Sequence, residues 1–175
     1  MSNRALILAA LLLATPVALA HAPMAMAADY RAGAIEITEP WTRATAPGAT
    51  VGAVYMTLTS LTWADDLISA ETPVAGKVEF HNATEEGGVA KMRMVDQVAI
   101  KAGDTVALAP GGIHLMLMSL KAPLVEGKTI PLTLTFKRGR SVDIKVPVRA
   151  LGAGAEGNAA SPMDHGSMPG MPGMN

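Results

Sequence analysis

Residues 110–118 have the sequence PGGIHLMLM, a turn followed directly by a run whose side chains alternate in character. Residues two apart on a β-strand project from the same face of the sheet. Leu115 and Leu117 therefore share one face, where we expect them to enter a core and fix the register. His114 and Met116 share the other face. The stretch predicts a strand that is buried on one side and presents nitrogen and sulfur donors on the other.

The chain between Ala34 and Val148 repeats this pattern of short β-rich runs divided by Gly, Pro and Asp, without a sustained helical stripe. Turn residues lie at 46–48, 86–88, 102–104, 110–112 and 138–140. Short strands at this spacing predict an all-β fold, either a two-sheet sandwich or a Greek-key barrel. The predicted strands are Ala34–Thr38, Val51–Ser60, Leu67–Glu71, Lys77–His81, Ala90–Val95, Thr105–Leu108, His114–Met118, Ile130–Phe136 and Val142–Val148.

Composition limits both the number of domains and the class of partner. The 175 residues are 50% hydrophobic and 17% charged, which suits one domain with a core and tails. The net charge is −1 and only 3% of residues are aromatic, so phosphate neutralisation and base stacking have no obvious source. We therefore do not expect a nucleic-acid partner.

The first residues have the pattern of a secretory signal peptide. Arg4 precedes an apolar run over residues 5–14, and the small-residue pattern Ala18-Leu19-Ala20 predicts cleavage after residue 20, with an alternative cut after residue 27. The run is too short to cross a hydrocarbon core of about 30 Å, so we expect no permanent membrane anchor. The predicted organisation is a signal peptide at 1–20, a β-domain at 28–151 and a flexible tail at 152–175. The expected location is the periplasm.

Four donors follow one another at defined intervals in the middle of the chain. Ten residues separate His81 from Met92, twenty-one separate Met92 from His114, and Met116 is two residues further on. Imidazole and thioether together suit the soft ion Cu(I), whereas Ca²⁺ and Mg²⁺ prefer oxygen ligands. The sequence contains no cysteine, and thioethers resist loss to disulfides in an oxidising compartment. The array predicts a Cu(I) site outside the cytoplasm.

Each donor also has an ordinary structural explanation. A single histidine at a strand end is usually a solvated surface residue, and a methionine on a strand usually fills a core. We expect the run Lys77–His81 to end at His81, so that both histidines lie at strand ends. Met56, Met94 and Met118 are interpreted as core or supporting residues, with Met118 as a reserve thioether.

The interval H-x10-M-x21-H-x-M resembles the signature of the periplasmic copper chaperones called PCuAC. The resemblance covers about residues 30–150 and includes residues 39–48 and 110–118. It implies a cupredoxin-like β-barrel, one Cu(I) bound by the four donors, and delivery of copper to the dinuclear copper centre of cytochrome oxidase. The implied partner is a respiratory oxidase subunit or another copper-assembly protein. Many relatives have methionine directly after the first histidine, where this chain has Asn82.

Two terminal segments contain further copper donors. The tail has one imidazole and four thioethers, which predicts an accessory site that accepts Cu(II) through the histidine and Cu(I) through the methionines. Its donors are Met163, His165, Met168, Met171 and Met174. Cleavage after residue 20 would make His21 the first residue, whose amino and imidazole nitrogens could chelate Cu(II).

Other functions are less well supported by the sequence. The motifs of serine hydrolases, zinc peptidases and phosphate-binding loops are absent, and we expect no enzymatic activity. A copper-buffering or copper-resistance protein would use the same donors for sequestration. An exported β-domain that serves as a scaffold would have no metal affinity.

Overall fold

A computed structural model describes residues 29–86 and 89–154 of the chain, which form an 11-stranded sheet. The strands are β1 Tyr30–Ala32, β2 Ile35–Arg43, β3 Val51–Ser60, β4 Asp65–Glu71, β5 Lys77–Glu86, β6 Val89–Val95, β7 Val98–Ile100, β8 Thr105–Leu108, β9 Ile113–Met118, β10 Thr129–Phe136 and β11 Ser141–Arg149. The all-β prediction is confirmed. The described residues contain no helix of the length and apolar character that crossing a bilayer requires.

Hydrogen-bonded neighbours follow the order β6-β5-β9-β3-β2-β11-β10-β4-β7, with β1 beside β2 and β8 beside β3. The pairing of β11 with β2 is parallel, and the other strand pairs are antiparallel. The sheet curls into a nearly closed barrel around one hydrophobic core. Strand β5 lies between β6 and β9, and β9 lies between β5 and β3.

Alternating residues of the strands build the core. Leu115 and Leu117 of β9 are fully buried, as the sequence predicted, and Phe80 of β5 is buried beside them. Burial of such a side chain stabilises the fold by about 1.5–3 kcal/mol. Met56 is also in the core, as predicted. A register slip of one residue would expose Phe80, Leu115 and Leu117 to solvent. Their burial therefore determines which side chains of β5 and β9 point away from the core.

All nine predicted strands are present, with different ends in several cases. The prediction that His81 ends its strand is wrong: β5 continues to Glu86, and His81 lies in its middle. Residues 82–86 continue the strand by pairing with β6 in a hairpin at the edge of the sheet. Strands β1 and β7 were not predicted, since three residues are too few to show an alternating pattern.

Strand β2 extends through Pro40, beyond the predicted end at Thr38. The register shifts between Thr38 and Trp41, and Glu39 has a φ of 49° at this point. A bulge of this kind bends a strand and redirects the side chains that follow it. After the shift, Trp41 pairs with Tyr55 of β3.

Candidate metal centre

Two of the four predicted donors are directly opposite one another. The backbone register pairs His81 of β5 with His114 of β9, and the centroids of their rings are 6.2 Å apart. The next pair on the same face of the two strands is Glu79 opposite Met116. Three predicted donors and one carboxylate therefore occupy two adjacent cross-strand pairs on the face that points away from Leu115.

His114 is held by the turn that precedes it. Its Nδ1 is 2.9 Å from the carbonyl oxygen of Gly112, and the residue is only 5% exposed. A positive φ of 80° at Gly111 forms this turn, and the amide of Gly112 donates to the carbonyl of Ala109 at 3.1 Å. Because a carbonyl can only accept, Nδ1 is the protonated nitrogen. In the neutral ring, Nε2 then has a free lone pair.

His81 has the opposite arrangement. Its Nε2 is 2.9 Å from Oε2 of Glu79, and the side chain is 16% exposed. Its Nδ1 is buried and has no hydrogen-bond partner among residues 29–86 and 89–154. A buried nitrogen without a partner costs about 1–3 kcal/mol, which a bound metal ion would offset. The pair thus presents two imidazoles whose remaining nitrogens suit metal binding.

Glu79 was not identified as a site residue from the sequence. Its Oε1 is 2.8 Å from Nζ of Lys77, while its other oxygen accepts from His81. Hydrogen bonds from Lys77 and then from His81 lower the pKa of the Glu79 carboxyl below its ordinary value. The carboxylate is therefore ionised near neutral pH. The available indication was its position two residues before His81, which places both side chains on one face.

The methionines of β6 are on the same face but are more exposed. Met92 pairs with Ala83 and is 55% exposed, while Met94 pairs directly with His81 and is 62% exposed. Met94 was interpreted as a core or supporting residue; it is not in the core, because β6 is an edge strand, and it lies beside His81 as a supporting residue would. Met92 is a diagonal neighbour of His81. The backbone thus brings both thioethers to the side of His81 remote from His114.

An aromatic group adjoins His114 on its other side. The ring centroids of Tyr55 and His114 are 6.2 Å apart, and those of Trp41 and Tyr55 are 4.6 Å apart. Burial raises the pKa of the Tyr55 phenol, and the charge of Arg43, 5.7 Å from the ring centroid, partly offsets the effect. The histidine pair is therefore shielded on the β3 side by ring surface.

The last described residues return to this aromatic group. A cavity of about 360 Å³ is lined by Tyr55, Met116 and Leu151, among other residues. The Nε of Arg43 donates to the carbonyl of Ala153 at 2.6 Å. Gly154 rests on Trp41 with a φ of +71°, and an added Cβ there would be 2.7 Å from the indole ring. Leu151 thus lies near Met116, and the chain leaves the described region against Trp41.

Other predicted donors fall outside the described part of the chain. These are His21 and the tail residues Met163, His165, Met168, Met171 and Met174. Within residues 29–86 and 89–154, no three side chains of His, Cys, Asp or Glu converge as a metal site. The thioether of Met116 is the donor beside the histidine pair on the same face of β9.

Comparison with known proteins places this site in context. The family "Putative lipoprotein LpqE-like" matches residues 35–148. "Putative lipoprotein Lxx21020" of Leifsonia xyli subsp. xyli is 32% identical over 148 residues, which cover 83% of this chain and 89% of that protein.

Solved structures show the same fold. The copper-bound PCuAC domain from PmoF2 is 27% identical and aligns with a TM-score of 0.61 over 70% of this chain and 98% of the domain. The Cu(I) form of DR1885 from Deinococcus radiodurans is 33% identical, with a TM-score of 0.55 over 71% of this chain and 81% of that protein. These matches confirm the predicted cupredoxin-like fold and support the resemblance to PCuAC proteins.

Proposed function

Because this chain belongs to the LpqE-like family and shares the fold of copper-bound PCuAC domains, we propose that it is an exported copper chaperone. Its cargo is one Cu(I), bound by His81, His114, Met92 and Met116. The observation that supports this assignment most directly is the histidine pair, in which each ring has one nitrogen committed to a hydrogen bond and one available. The remaining residues of the site determine which ion fits.

Cu(I) fits this donor set better than harder ions do. Two imidazole nitrogens and the thioether of Met116 on one sheet face match the preferences of a soft cation, while thioethers are poor ligands for Mg²⁺ and Ca²⁺. The donors are neutral, so copper retains its single positive charge on binding. Glu79 places one negative charge beside that cation, which favours its retention in a largely buried site.

The exposed thioether gives copper a route out of the site. Met92 is accessible on the end strand of the sheet, and a thioether releases a metal without taking up a proton. An incoming ligand of an acceptor protein can therefore replace Met92 while the histidines still hold the ion. This stepwise exchange suits a carrier, and the acceptor that we propose is the copper centre of cytochrome oxidase or another copper-assembly protein.

Export through a cleaved signal peptide places the chaperone in the periplasm in this proposal. The relatives are named as lipoproteins, whereas these 175 residues contain no cysteine that could accept a lipid. We propose a signal peptide that is cleaved on export as the route to the periplasm. Intact-mass measurement of the exported protein tests this point and identifies the mature first residue. We assign no enzymatic activity to the protein.

The tail acts in this proposal as an accessory copper-capturing element. The chain passes Leu151 in the Met116 cavity and leaves the described region on Trp41, one aromatic ring from Tyr55. Met163 is nine residues beyond Gly154, and nine extended residues span about 30 Å. The tail donors therefore start within reach of the core site. A tether of this length gives an effective concentration on the order of mM.

A copper-transfer experiment tests the function. The mature protein is loaded with one equivalent of Cu(I) under anaerobic conditions and mixed with the metal-free dinuclear copper domain of an oxidase subunit. The two proteins are then separated, and copper is measured in each. A chaperone releases copper to the oxidase domain faster than free Cu(I)-chelator complexes of equal affinity do.

The alternative functions predict other results. A buffering or resistance protein retains its copper in the presence of the oxidase domain. A scaffold domain binds no Cu(I) at the loading step. Either result would contradict the proposed delivery function.

A further inference from the structure

We propose that Glu79 is a positioning residue that makes Nδ1 of His81 the copper-binding atom, whereas His114 binds through Nε2. The inference rests on the proposed function, because it concerns the same site. It assigns a role to a carboxylate that lies among the donors and is not itself one of them. The contacts of the two histidines supply the argument.

Glu79 determines which ring nitrogen of neutral His81 carries the proton. Oε2 of Glu79 is 2.9 Å from Nε2 of His81, and an ionised carboxylate can only accept a hydrogen bond. The proton of the neutral ring must therefore be on Nε2. This leaves the lone pair on Nδ1, which is the one buried side-chain nitrogen or oxygen without a partner among the described residues.

His114 is the opposite tautomer of His81. Its Nδ1 donates to the carbonyl of Gly112, which leaves the lone pair on Nε2. The two facing rings are therefore opposite tautomers, each fixed by a different acceptor. One acceptor is a backbone carbonyl set by the turn at Gly111, and the other is a side chain that substitution can remove. Glu79 is thus the only one of the two acceptors that can be tested without altering the backbone.

Glu79 is itself held in place by Lys77. Nζ of Lys77 is 2.8 Å from Oε1, so each carboxylate oxygen has a partner. The Glu79 side chain is 18% exposed and is opposite Met116 in the register. A carboxylate that donates no proton and is fixed at both oxygens restricts the rotation of the imidazole. Such outer partners orient a metal-bound histidine and raise its basicity.

Removal of the carboxylate should affect His81 in two ways. Without the acceptor, the neutral ring populates both tautomers and can rotate, so part of the population presents a protonated Nδ1 to the metal. Without the charge, the site loses a favourable interaction with a bound cation. Loss of an outer partner usually weakens metal binding by about 10–100-fold.

The experiment compares Glu79→Ala and Glu79→Gln with a matched control. The control is Glu36→Gln, which removes another strand carboxylate and its 2.9 Å ion pair with Arg31. The glutamine variant retains an acceptor oxygen without the charge, and the alanine variant removes both. Circular dichroism and thermal unfolding establish that each variant is folded.

The first readout requires no copper. Two-dimensional ¹⁵N NMR of the histidine rings, at a pH where both are neutral, should show the proton of His81 on Nε2 and that of His114 on Nδ1. In Glu79→Ala, the His81 nitrogens should move toward the average of two tautomers while those of His114 stay fixed. A His81 proton on Nδ1 in the original protein would overturn the proposal.

The second readout is Cu(I) affinity, measured by competition with a chromogenic chelator. We expect a loss of about 10–100-fold for Glu79→Ala, a smaller loss for Glu79→Gln and no change for Glu36→Gln. Unchanged affinity and tautomer in Glu79→Ala would overturn the role of Glu79. Failure of the original protein to bind Cu(I) would instead overturn the proposed function, while the copper-free spectrum still tests whether Glu79 sets the His81 tautomer.

Discussion

The two sides of the proposed copper site differ in how firmly the fold holds their donors. On the β5–β9 side, His81 and His114 are largely buried, and each ring is fixed by a hydrogen bond at 2.9 Å. On the β6 side, the thioethers of Met92 and Met94 extend from the end strand and are more than half exposed. The site therefore combines a preorganised nitrogen pair with an accessible sulfur.

This difference suggests a division of labour between affinity and exchange. Fixed donors lose little conformational entropy when they bind a metal, so the histidine pair should dominate the affinity. An exposed methionine must be ordered on binding and contributes less to affinity, but it can be replaced by a ligand from another protein. Substitutions of the donors, from the most buried to the most exposed, test this division.

Replacement of either histidine should have the largest effect. Since even outer partners contribute about 10–100-fold, His81→Ala or His114→Ala should lower Cu(I) affinity by more than about 100-fold. Anaerobic competition with a chromogenic Cu(I) chelator measures the change. Met56→Leu, which alters a core methionine, provides the control and should retain the original affinity. An affinity loss below tenfold in either histidine variant would contradict the dominance of the pair.

Replacement of the methionines by leucine should have graded effects. Met116 is half-buried beside the histidines, so Met116→Leu should cost about tenfold in Cu(I) affinity, and Met92→Leu should cost less because its side chain is more exposed. Met92→Leu should also slow copper transfer to an acceptor. The chelator competition measures the Cu(I) affinity, and the copper-transfer experiment measures the transfer rate.

Met94→Leu sharpens this comparison, since Met94 is the residue directly opposite His81. If Met92 is the ligand, Met94→Leu should leave the Cu(I) affinity within about twofold of the original value, and its transfer rate should not change. A larger loss in Met94→Leu than in Met92→Leu would reassign the exposed thioether to Met94.

Truncation after Gly154 should separate the core site from the tail. The variant retains the hydrogen bond from Arg43 to Ala153 and the contact with Trp41, so the barrel end is preserved. Core Cu(I) affinity should change by less than about twofold, while total copper bound should fall and loading should slow. Stopped-flow loading and elemental analysis measure these changes. Identical loading rate and stoichiometry would exclude a role for the tail in capture.

The smallest expected effect concerns the aromatic side of the site. Burial raises the pKa of the Tyr55 phenol, which means that the folded state favours the neutral ring. This contribution to stability is fully present below the unfolded pKa of about 10 and is lost as the pH rises through the higher folded value. In Tyr30→Phe, where Tyr55 is the remaining tyrosine, phenolate absorbance should appear at higher pH than in denaturant. Coincident titrations would contradict this prediction.

Much of the fold could be predicted because alternation leaves little freedom of register. On β9, burial of Leu115 and Leu117 necessarily places His114 and Met116 on the opposite face, so the sequence specified both core and donors there. The middle of β5 was harder to predict. Polar residues follow His81, and they are accommodated as strand by pairing with β6, whose residues 91–94 are all exposed.

Two features of the site depend on information that the alternating pattern lacks. The two-residue connection between Glu86 and Val89 determines that Met94, rather than Met92, is opposite His81. A hairpin one residue longer would change that pairing. The role of Glu79 depends on the rotamers of Lys77, Glu79 and His81, which sequence spacing does not specify.

X-ray absorption spectroscopy of a Cu(I)-loaded chain of residues 28–154 tests the central claim most directly, because neither terminal segment of donors is then present. The proposed site predicts two histidine nitrogens and two methionine sulfurs around one copper ion. In His81→Ala the nitrogen contribution should fall by half, and in Met116→Leu one sulfur should be lost. A copper environment without sulfur, or one that is unchanged in His81→Ala, would contradict the assignment of copper to the β5–β9 histidine pair.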